Sequence, residues 1–351
     1  MYTINGKILS RSINGQIRVA IETIKELDKI VPQGYIEIVA PPSEFTIDGL
    51  KNITIKRIGK GNPHIWEQTY FANYLRRTKN IGINFLNTHP FFKPDIAYIH
   101  DVIFDAYPSL FTTMYGILQK YYTMFMVKSA VKRARRIVTV SEFSKSEIIK
   151  YHKVDEKKVY VIYNAWQHML DIVEDKSIFE KQQKIKKSEY ILAASGITPQ
   201  KNFKWIIDNS KYNPQIQYVI VGSRENCTQD DTEDTNNVLY TGRVNDGELK
   251  ALMHYCKAFI HPAIYEGFGL TPMEAMGSGC QQVIVAKASC LPEIYGDSVH
   301  YIDPQYSKVD IEMLLNESLT GNVQKLIDKF SWKKSALLLF ELCEKIKNQD
   351  L

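Results

Sequence analysis

Nowhere do the 351 residues string together the roughly 18 consecutive apolar side chains of a membrane-crossing helix, so no span is expected. The opening MYTINGKILSRS has no apolar core ahead of a small-residue cleavage site; no secretory signal is expected, and a cytoplasmic location is. Cysteine is sparse. The five (Cys227, Cys256, Cys280, Cys290 and Cys343) are odd in number and never form C-x-x-C, which excludes a zinc ribbon and argues for reduced thiols over a disulfide frame. The eight histidines show no ligand spacing, so no metal is expected. Low-complexity stretches and short repeats are absent too.

What is present describes a globular chain: 44% hydrophobic and 24% charged residues. At about 100–200 residues per domain, its length suggests two domains. The net charge of +5 is unevenly spread. Residues 1–175 carry 24 Lys and Arg against 17 Asp and Glu, whereas the rest carries 20 against 22. The basic half expects a different partner from the near-neutral half, though its excess is too small to demand nucleic acid.

Short β-branched runs recur at 2–9, 36–40, 53–58, 83–86, 96–100, 137–140 and 159–163, each followed by helical spacing. The series restarts at 190–194 and continues at 218–221, 238–240, 258–261, 283–285 and 300–302. Alternation of this kind predicts two doubly wound, parallel-sheet, Rossmann-like α/β domains. A polar stretch at 174–188 marks the junction, giving an N-terminal domain over 1–173 and a C-terminal domain over 174–330. Residues 331–351 form a closing amphipathic helix with Trp332, Leu338, Leu339, Leu342 and Ile346 on its apolar side.

The most informative stretch is 259–276, FIHPAIYEGFGLTPMEAM. A strand enters a loop of Glu266, Gly267, Phe268 and Gly269, then a helix for which Thr271 is a plausible N-cap and Pro272 a first residue. Glycines there let backbone N–H groups approach a ligand, and a helix N-terminus favours an anion. Carboxylates beside a phosphate make sense if they bind sugar hydroxyls. Thr271 and Glu274 also spell a capping box, so Glu274 alone carries two readings.

Glu266-x7-Glu274 within YEGFGLTPMEAMGSG resembles the signature of the retaining, Glu-x7-Glu glycosyltransferases with the GT-B fold, two Rossmann-like domains facing across a cleft. ILAASGITPQKNF, YVIVGS, LYTGRVNDGELKALMHYCKAFIHP, LPEIYGDSVHYIDP and FSWKKSA resemble that family's successive elements in order, as do HDVIF, RRIVTVSEFSKSEI and VYVIYNAW earlier. GNPHIWEQTYFANYLRR is similar to the W-E-Q segment of a branch rich in mannosyl- and rhamnosyltransferases.

The resemblance implies a donor site on the C-terminal domain and an acceptor on the basic N-terminal one. Glu266 would contact the donor sugar and stabilise charge at its reacting carbon. The backbone of Gly267, Phe268, Gly269 and Leu270 would bind sugar and phosphate, and Glu274 the ribose hydroxyls. Lys201 would neutralise the leaving diphosphate, which is electrostatic catalysis without a metal or cofactor; the chain has no Asp-x-Asp triplet. Val244 would meet the base through its backbone, Gly15 would face the diphosphate, and His100 would lie near the transferred sugar. The implied reaction moves a hexose or deoxyhexose, mannose or rhamnose, from a nucleoside-diphosphate sugar to a glycan or lipid-linked acceptor with retention, in cell-surface polysaccharide synthesis. A nucleotide-sugar epimerase or a non-catalytic binder of the same architecture would be the alternatives.

Three departures bear on the donor. Gly196 and Gln200 stand where many relatives carry Arg, so the diphosphate would lose cationic contacts unless Arg18, Arg243 or another residue substitutes, and Gly279-Cys280-Gln281-Gln282 replaces the usual Gly-Thr-Pro-Val. Cys280 reads as a small apolar filler and His261 as the end of a buried strand. Finally, 115–136 reads as a helix rich in Tyr, Phe and Met at one end, with Lys128, Lys132, Arg135 and Arg136 sharing a face at the other. Such a helix suits an anionic membrane surface; a core helix with a solvated rim is the alternative.

Overall fold

In the computed structural model, which describes residues 1–10, 13–196, 198–222 and 235–349, the chain divides into two units. Cys227, Ser223 of YVIVGS and Ile197 of the phosphate-loop stretch lie outside the described residues. One unit comprises Met1–Asn164 with Trp332–Leu351, the other Ala165–Ser331.

Seven strands build the first unit's sheet: β1 (Tyr2–Asn5), β2 (Ile36–Ala40), β3 (Thr54–Arg57), β4 (Ile81–Asn84), β5 (Ile96–Tyr98), β6 (Arg136–Thr139) and β7 (Val159–Val161). Their spatial order is β3-β2-β1-β4-β5-β6-β7, every pairing parallel. The second sheet holds β8 (Tyr190–Ala194), β9 (Gln217–Val221), β10 (Val238–Gly242), β11 (Ala258–His261), β12 (Val283–Ala286) and β13 (His300–Ile302), ordered β10-β9-β8-β11-β12-β13 and again parallel. Both are doubly wound. Strand order reverses between β1 and β4, and between β8 and β11, and ligands of such sheets bind outside the carboxyl ends at that switch point.

The expected strand at 2–9 stops at Asn5, and Gly6–Ser10 turns into a short 3-10 helix. A Cβ on Gly6 would lie 2.5 Å from the Val39 carbonyl and the Ala40 side chain, so only glycine lets this turn pass β2.

The division falls ahead of the expected one. The chain changes units at Asn164, not 173, because the segment after β7 already buries its apolar side chains in the second unit. There Trp166 is 8% and Met169 3% exposed, and the Trp166 indole donates to the Ile327 carbonyl at 3.0 Å. The polar stretch at 174–188 is not an open linker; Ser177–Lys181 is a helical turn, and the Asp175 N–H donates to the Gly247 carbonyl.

Trp332–Gln349 returns to the first unit, where Ala336, Leu339, Leu342, Cys343 and Ile346 join the core with Ile17, Ala20, Ile24 and Leu27 of the Gly15–Ile30 helix. Leu338, assigned to the apolar side from spacing, is instead 36% exposed; Ala336 and Cys343 complete the buried face. The described cysteines are free thiols; Cys280 is 2% exposed, its Sγ donating to the Gln282 carbonyl at 3.2 Å and lying 3.5 Å from Cys256 Sγ. No helix of the described residues is long and apolar enough to cross a membrane.

Candidate active site

In the second unit, two loops leave the carboxyl ends of the strands flanking the switch point. The loop after β8 ends in Lys201, and the loop after β11 carries Glu266. Backbone bonding joins them: the Ile264 N–H donates to the Gln200 carbonyl at 2.9 Å. Asn202, in the left-handed conformation at φ 57°, turns its amide onto the Pro262 and Pro304 carbonyls at 3.1 and 2.9 Å. The Lys201-Asn202 pair thus combines a cation with a clamp.

Lys201 Nζ forms an ion pair with Glu266 Oε1, and His261 Nε2 lies 2.8 Å from the same oxygen. Since a carboxylate only accepts, His261 carries its proton on Nε2. Both donors meet Oε1, leaving Oε2 for a ligand. Burial alone would raise the Glu266 carboxyl, but the Lys201 charge and the His261 hydrogen bond outweigh it and hold it at about 2. The group is therefore an anion throughout the neutral range. Burial also lowers His261, opposed by Glu266. The Glu266 N–H donates to Ser289 Oγ at 3.1 Å, fixing the loop from a third segment.

Beyond Glu266 the helix runs over Leu270–Gly277 and starts earlier than Thr271 suggested. Gly269 is its N-cap, at φ 77° and ψ 58°, and no side chain caps it. The capping box between Thr271 and Glu274 is not formed. Glu274 instead accepts from His168 Nε2 at 2.9 Å. Phe268 is buried, edge-on to Phe330, so what it offers a ligand is backbone. Leu270 opens the helix, and Gly267 is buried beside it. Val244 follows β10, immediately before the Asp246–His254 helix with its Asn245–Glu248 capping box. Arg243 is exposed next to it.

The remaining expected residues lie in the first unit. Gly15 opens the Gly15–Ile30 helix, capped by Asn14, whose side chain accepts from the Ile17 N–H at 3.0 Å; a Cβ at Gly15 would meet nothing within 4 Å. His100, two residues past β5, is 6% exposed and donates from Nε2 to the Phe85 carbonyl at 2.7 Å. Burial lowers its pKa to about 4, so the ring is neutral at physiological pH. Arg18 pairs with Glu22 at 3.9 Å. No group of three or more His, Cys, Asp or Glu among the described residues is arranged to hold a metal ion.

A family model described as "Glycosyl transferases group 1" matches residues 174–347, and one described as "Glycosyltransferase Family 4" matches 14–166. The chain belongs to these glycosyltransferases. The O-antigen chain mannosyltransferase RfbU of Salmonella typhimurium is 31% identical over 252 residues, 70% of this chain and 65% of the relative. O-antigen chain mannosyltransferase B of Escherichia coli is 26% identical over 231 residues, 60% of this chain and 57% of the relative. The matched part of the chain thus spans under two thirds of either relative's length. Among solved structures, sucrose-phosphate synthase from Thermosynechococcus elongatus gives a TM-score of 0.75 at 13% identity, covering 99% of both chains. HepE of Anabaena in complex with UDP-glucose gives 0.71 at 16%, covering 98% and 99%. These two likenesses establish the two-domain α/β GT-B fold.

Several residues of this candidate site escaped sequence reasoning. His261 read as a strand terminus, and only the turn at 262–265 brings Glu266 back onto its ring. His168 sits 106 residues before its partner Glu274. Tyr295, which donates to the Gly269 carbonyl, comes from LPEIY, a segment the family resemblance did quote. A Cβ at Gly269 would lie 2.6 Å from Leu291 Cδ2 as well as occupying a left-handed φ. Gly269→Ala is therefore expected to cost about 2–4 kcal/mol of stability, measurable by denaturant unfolding.

Proposed function

We propose that the chain transfers a hexose, mannose by preference, from a nucleoside-diphosphate sugar to a glycan or lipid-linked acceptor of cell-surface polysaccharide synthesis, with retention of configuration. The observation that carries this reading is the Lys201–Glu266–His261 cluster at the switch point of the second unit. Lys201 is a fixed cation where a departing diphosphate gathers charge, and Glu266 is a fixed anion where the sugar carbon becomes electron-poor. His261 orients Glu266; His168 orients Glu274 toward a ribose. Gly267, Phe268, Gly269 and Leu270 supply backbone for the phosphate at a helix start that no side chain caps. Val244 meets the base, and Gly15 and His100 serve from the first unit.

The bond from anomeric carbon to phosphate oxygen breaks with its electron pair going to the diphosphate. That oxygen takes the proton of the incoming acceptor hydroxyl, whose oxygen forms the new bond on the same face. Mannose is favoured because two O-antigen mannosyltransferases are among the relatives.

Incubation with a panel of nucleotide sugars, with and without acceptor, tests the reading. Nucleotide release that depends on acceptor supports it; isomerised donor marks an epimerase, and binding without turnover a carrier. Lys201 is proposed to stand in for a metal, so turnover is expected to persist in EDTA. A loss restored by magnesium would assign the charge neutralisation to a cation.

Contact with an anionic membrane belongs to the same proposal, with its geometry corrected. The helix spans Met114–Arg133 and ends before Arg135, which turns to Asp95 at 3.4 Å, and Arg136, which begins β6. The four-cation face therefore reduces to Lys128 and Lys132. These continue a stripe of Met114, Leu118, Tyr121 and Phe125, spaced along one face and between 53% and 84% exposed. Wild-type protein is expected to float with anionic liposomes. Removing both lysines should weaken partitioning about 30-fold, at roughly 1 kcal/mol per cation. Recovery of the wild type in the soluble fraction would end the membrane reading.

A further inference from the structure

Parallel register sets two cysteines side by side in the second unit. Strands β11 and β12 pair Phe259 with Val283 and Ile260 with Ile284. Carried three residues back, that register places Cys256 beside Cys280, and neighbouring strands lie about 4.8 Å apart. A disulfide spans Cα separations of about 4.4–6.8 Å, so the sheet itself supplies the spacing. The two Sγ atoms are 3.5 Å apart. Cys280 belongs to the Gly279-Cys280-Gln281-Gln282 segment, in which this chain departs from the family pattern it otherwise resembles.

Backbone contacts hold both thiols in place. The Cys256 S–H donates to the Met253 carbonyl at 3.1 Å, and the Cys280 S–H to the Gln282 carbonyl at 3.2 Å. Cys256 follows the Asp246–His254 helix, and Cys280 follows the Leu270–Gly277 helix. Those two helix ends are already packed together: the Cys280 N–H donates to the Ala275 carbonyl at 3.0 Å, and Ser278 Oγ lies 3.9 Å from Met253 Sδ. Cys280 is buried and Cys256 half-buried, but Gly279, which turns the chain at φ 103°, is exposed. The approach to the Cys280 sulfur thus passes a residue without a side chain, which suits a small oxidant. When Cys280 ionises, the Cys256 S–H turns to its sulfur; that hydrogen bond outweighs burial and lowers the Cys280 thiol.

We propose that Cys256 and Cys280 are an oxidant-responsive pair, resting as thiols, joined as a disulfide by a hydroperoxide and reopened by a dithiol. The Cys280 thiolate attacks one oxygen of hydrogen peroxide. The S–O bond forms as the O–O bond breaks, and the departing hydroxide takes up a proton and leaves as water. The Cys256 sulfur then attacks the sulfenic sulfur. The S–S bond forms as the S–O bond breaks, and the hydroxyl leaves with the Cys256 proton as a second water. Two thiols thereby give two electrons to one peroxide. The new bond ties together the ends of two helices whose opposite ends follow Val244 and Gly269. Gly269 lies about 12 Å away along its helix, so the staple braces this framework and removes no group from the proposed donor chemistry. The pair does not depend on the transferase reading.

The test treats the full chain with hydrogen peroxide, alkylates the remaining thiols and maps the unreduced peptides by mass spectrometry. A Cys256–Cys280 cross-link is expected, lighter by two hydrogens than the thiol pair and lost on treatment with dithiothreitol. The thermal midpoint of the oxidised protein should stand about 5–10 °C above that of the reduced protein, because the closed loop restrains the unfolded chain. Cys256→Ser and Cys280→Ala, each compared with its own reduced form, are expected to show neither cross-link nor rise. Alkylation of both cysteines after oxidation, a cross-link to Cys227 in place of the pair, or a midpoint that does not rise would overturn the proposal. So would an equal rise in either variant, which would place the stabilising oxidation elsewhere in the chain.

Discussion

Changing Glu266 to Gln is expected to slow sugar transfer about 10²- to 10³-fold with the fold retained, at a loss of stability that is largest at neutral pH. The side chain keeps its volume and its reach to Lys201 and His261, but the anion is gone. In the wild type that anion is secured against burial by a cation and a hydrogen bond on one oxygen, which holds the carboxyl at about 2. Below the ordinary carboxylate range this group adds stability that is complete above pH 4.5 and fades as pH falls toward 2. Removing it therefore costs little at the lower end of that window and most at neutral pH. The check is kcat with a saturating donor, beside a thermal melt. Turnover like that of the wild type would remove Glu266 from the mechanism.

Lys201→Met carries the second large effect, and two consequences separate it from a structural lesion. The donor loses a charge-assisted bond to its diphosphate, worth about 10- to 100-fold in kcat/KM. Glu266 loses the cation that opposes burial, so its carboxyl rises, and activity should fall off on the acid side at a higher pH than in the wild type. A pH–rate profile reads that displacement directly. Reduced activity with an unmoved acid limb would mean that Lys201 does not set the state of Glu266.

Why some of this was legible in the sequence and some was not has a physical pattern. The thirteen strands of the described residues lie within the β-branched runs that suggested them or overlap them, most because a strand buried on both faces must be apolar along its length; β3, largely exposed, and β10, half-buried, were legible from β-branched residues alone. The restart after 188 revealed a second sheet for the same reason. The junction was misplaced because Trp166 and Met169 look like loop residues until the second unit closes over them. At the helix after Glu266, Thr271 had the better capping chemistry, but Gly269 alone tolerates the left-handed turn under Leu291. Arg135 and Arg136 were read into a helix whose pattern did continue; Ala134 breaks it with an extended conformation, and Asp95 draws Arg135 aside. His261 and His168 were missed for another reason. Their partners are set by strand order and loop return, and nothing in their immediate neighbours distinguishes them from structural residues.

Gly196 and Gln200 stand where the resemblance leads one to expect Arg, and the cation paired with Glu266 is Lys201. That concentrates the charge balance of the proposed reaction on one ion pair. The most direct measurement of the whole account is therefore the product of a single incubation: wild-type chain, nucleoside-diphosphate mannose, glycan acceptor and EDTA, read by NMR. The account predicts nucleotide release only with acceptor present, and a new mannosyl linkage with the anomeric configuration of the donor. An inverted linkage would contradict retention, and acceptor-independent conversion of the donor would contradict transfer itself.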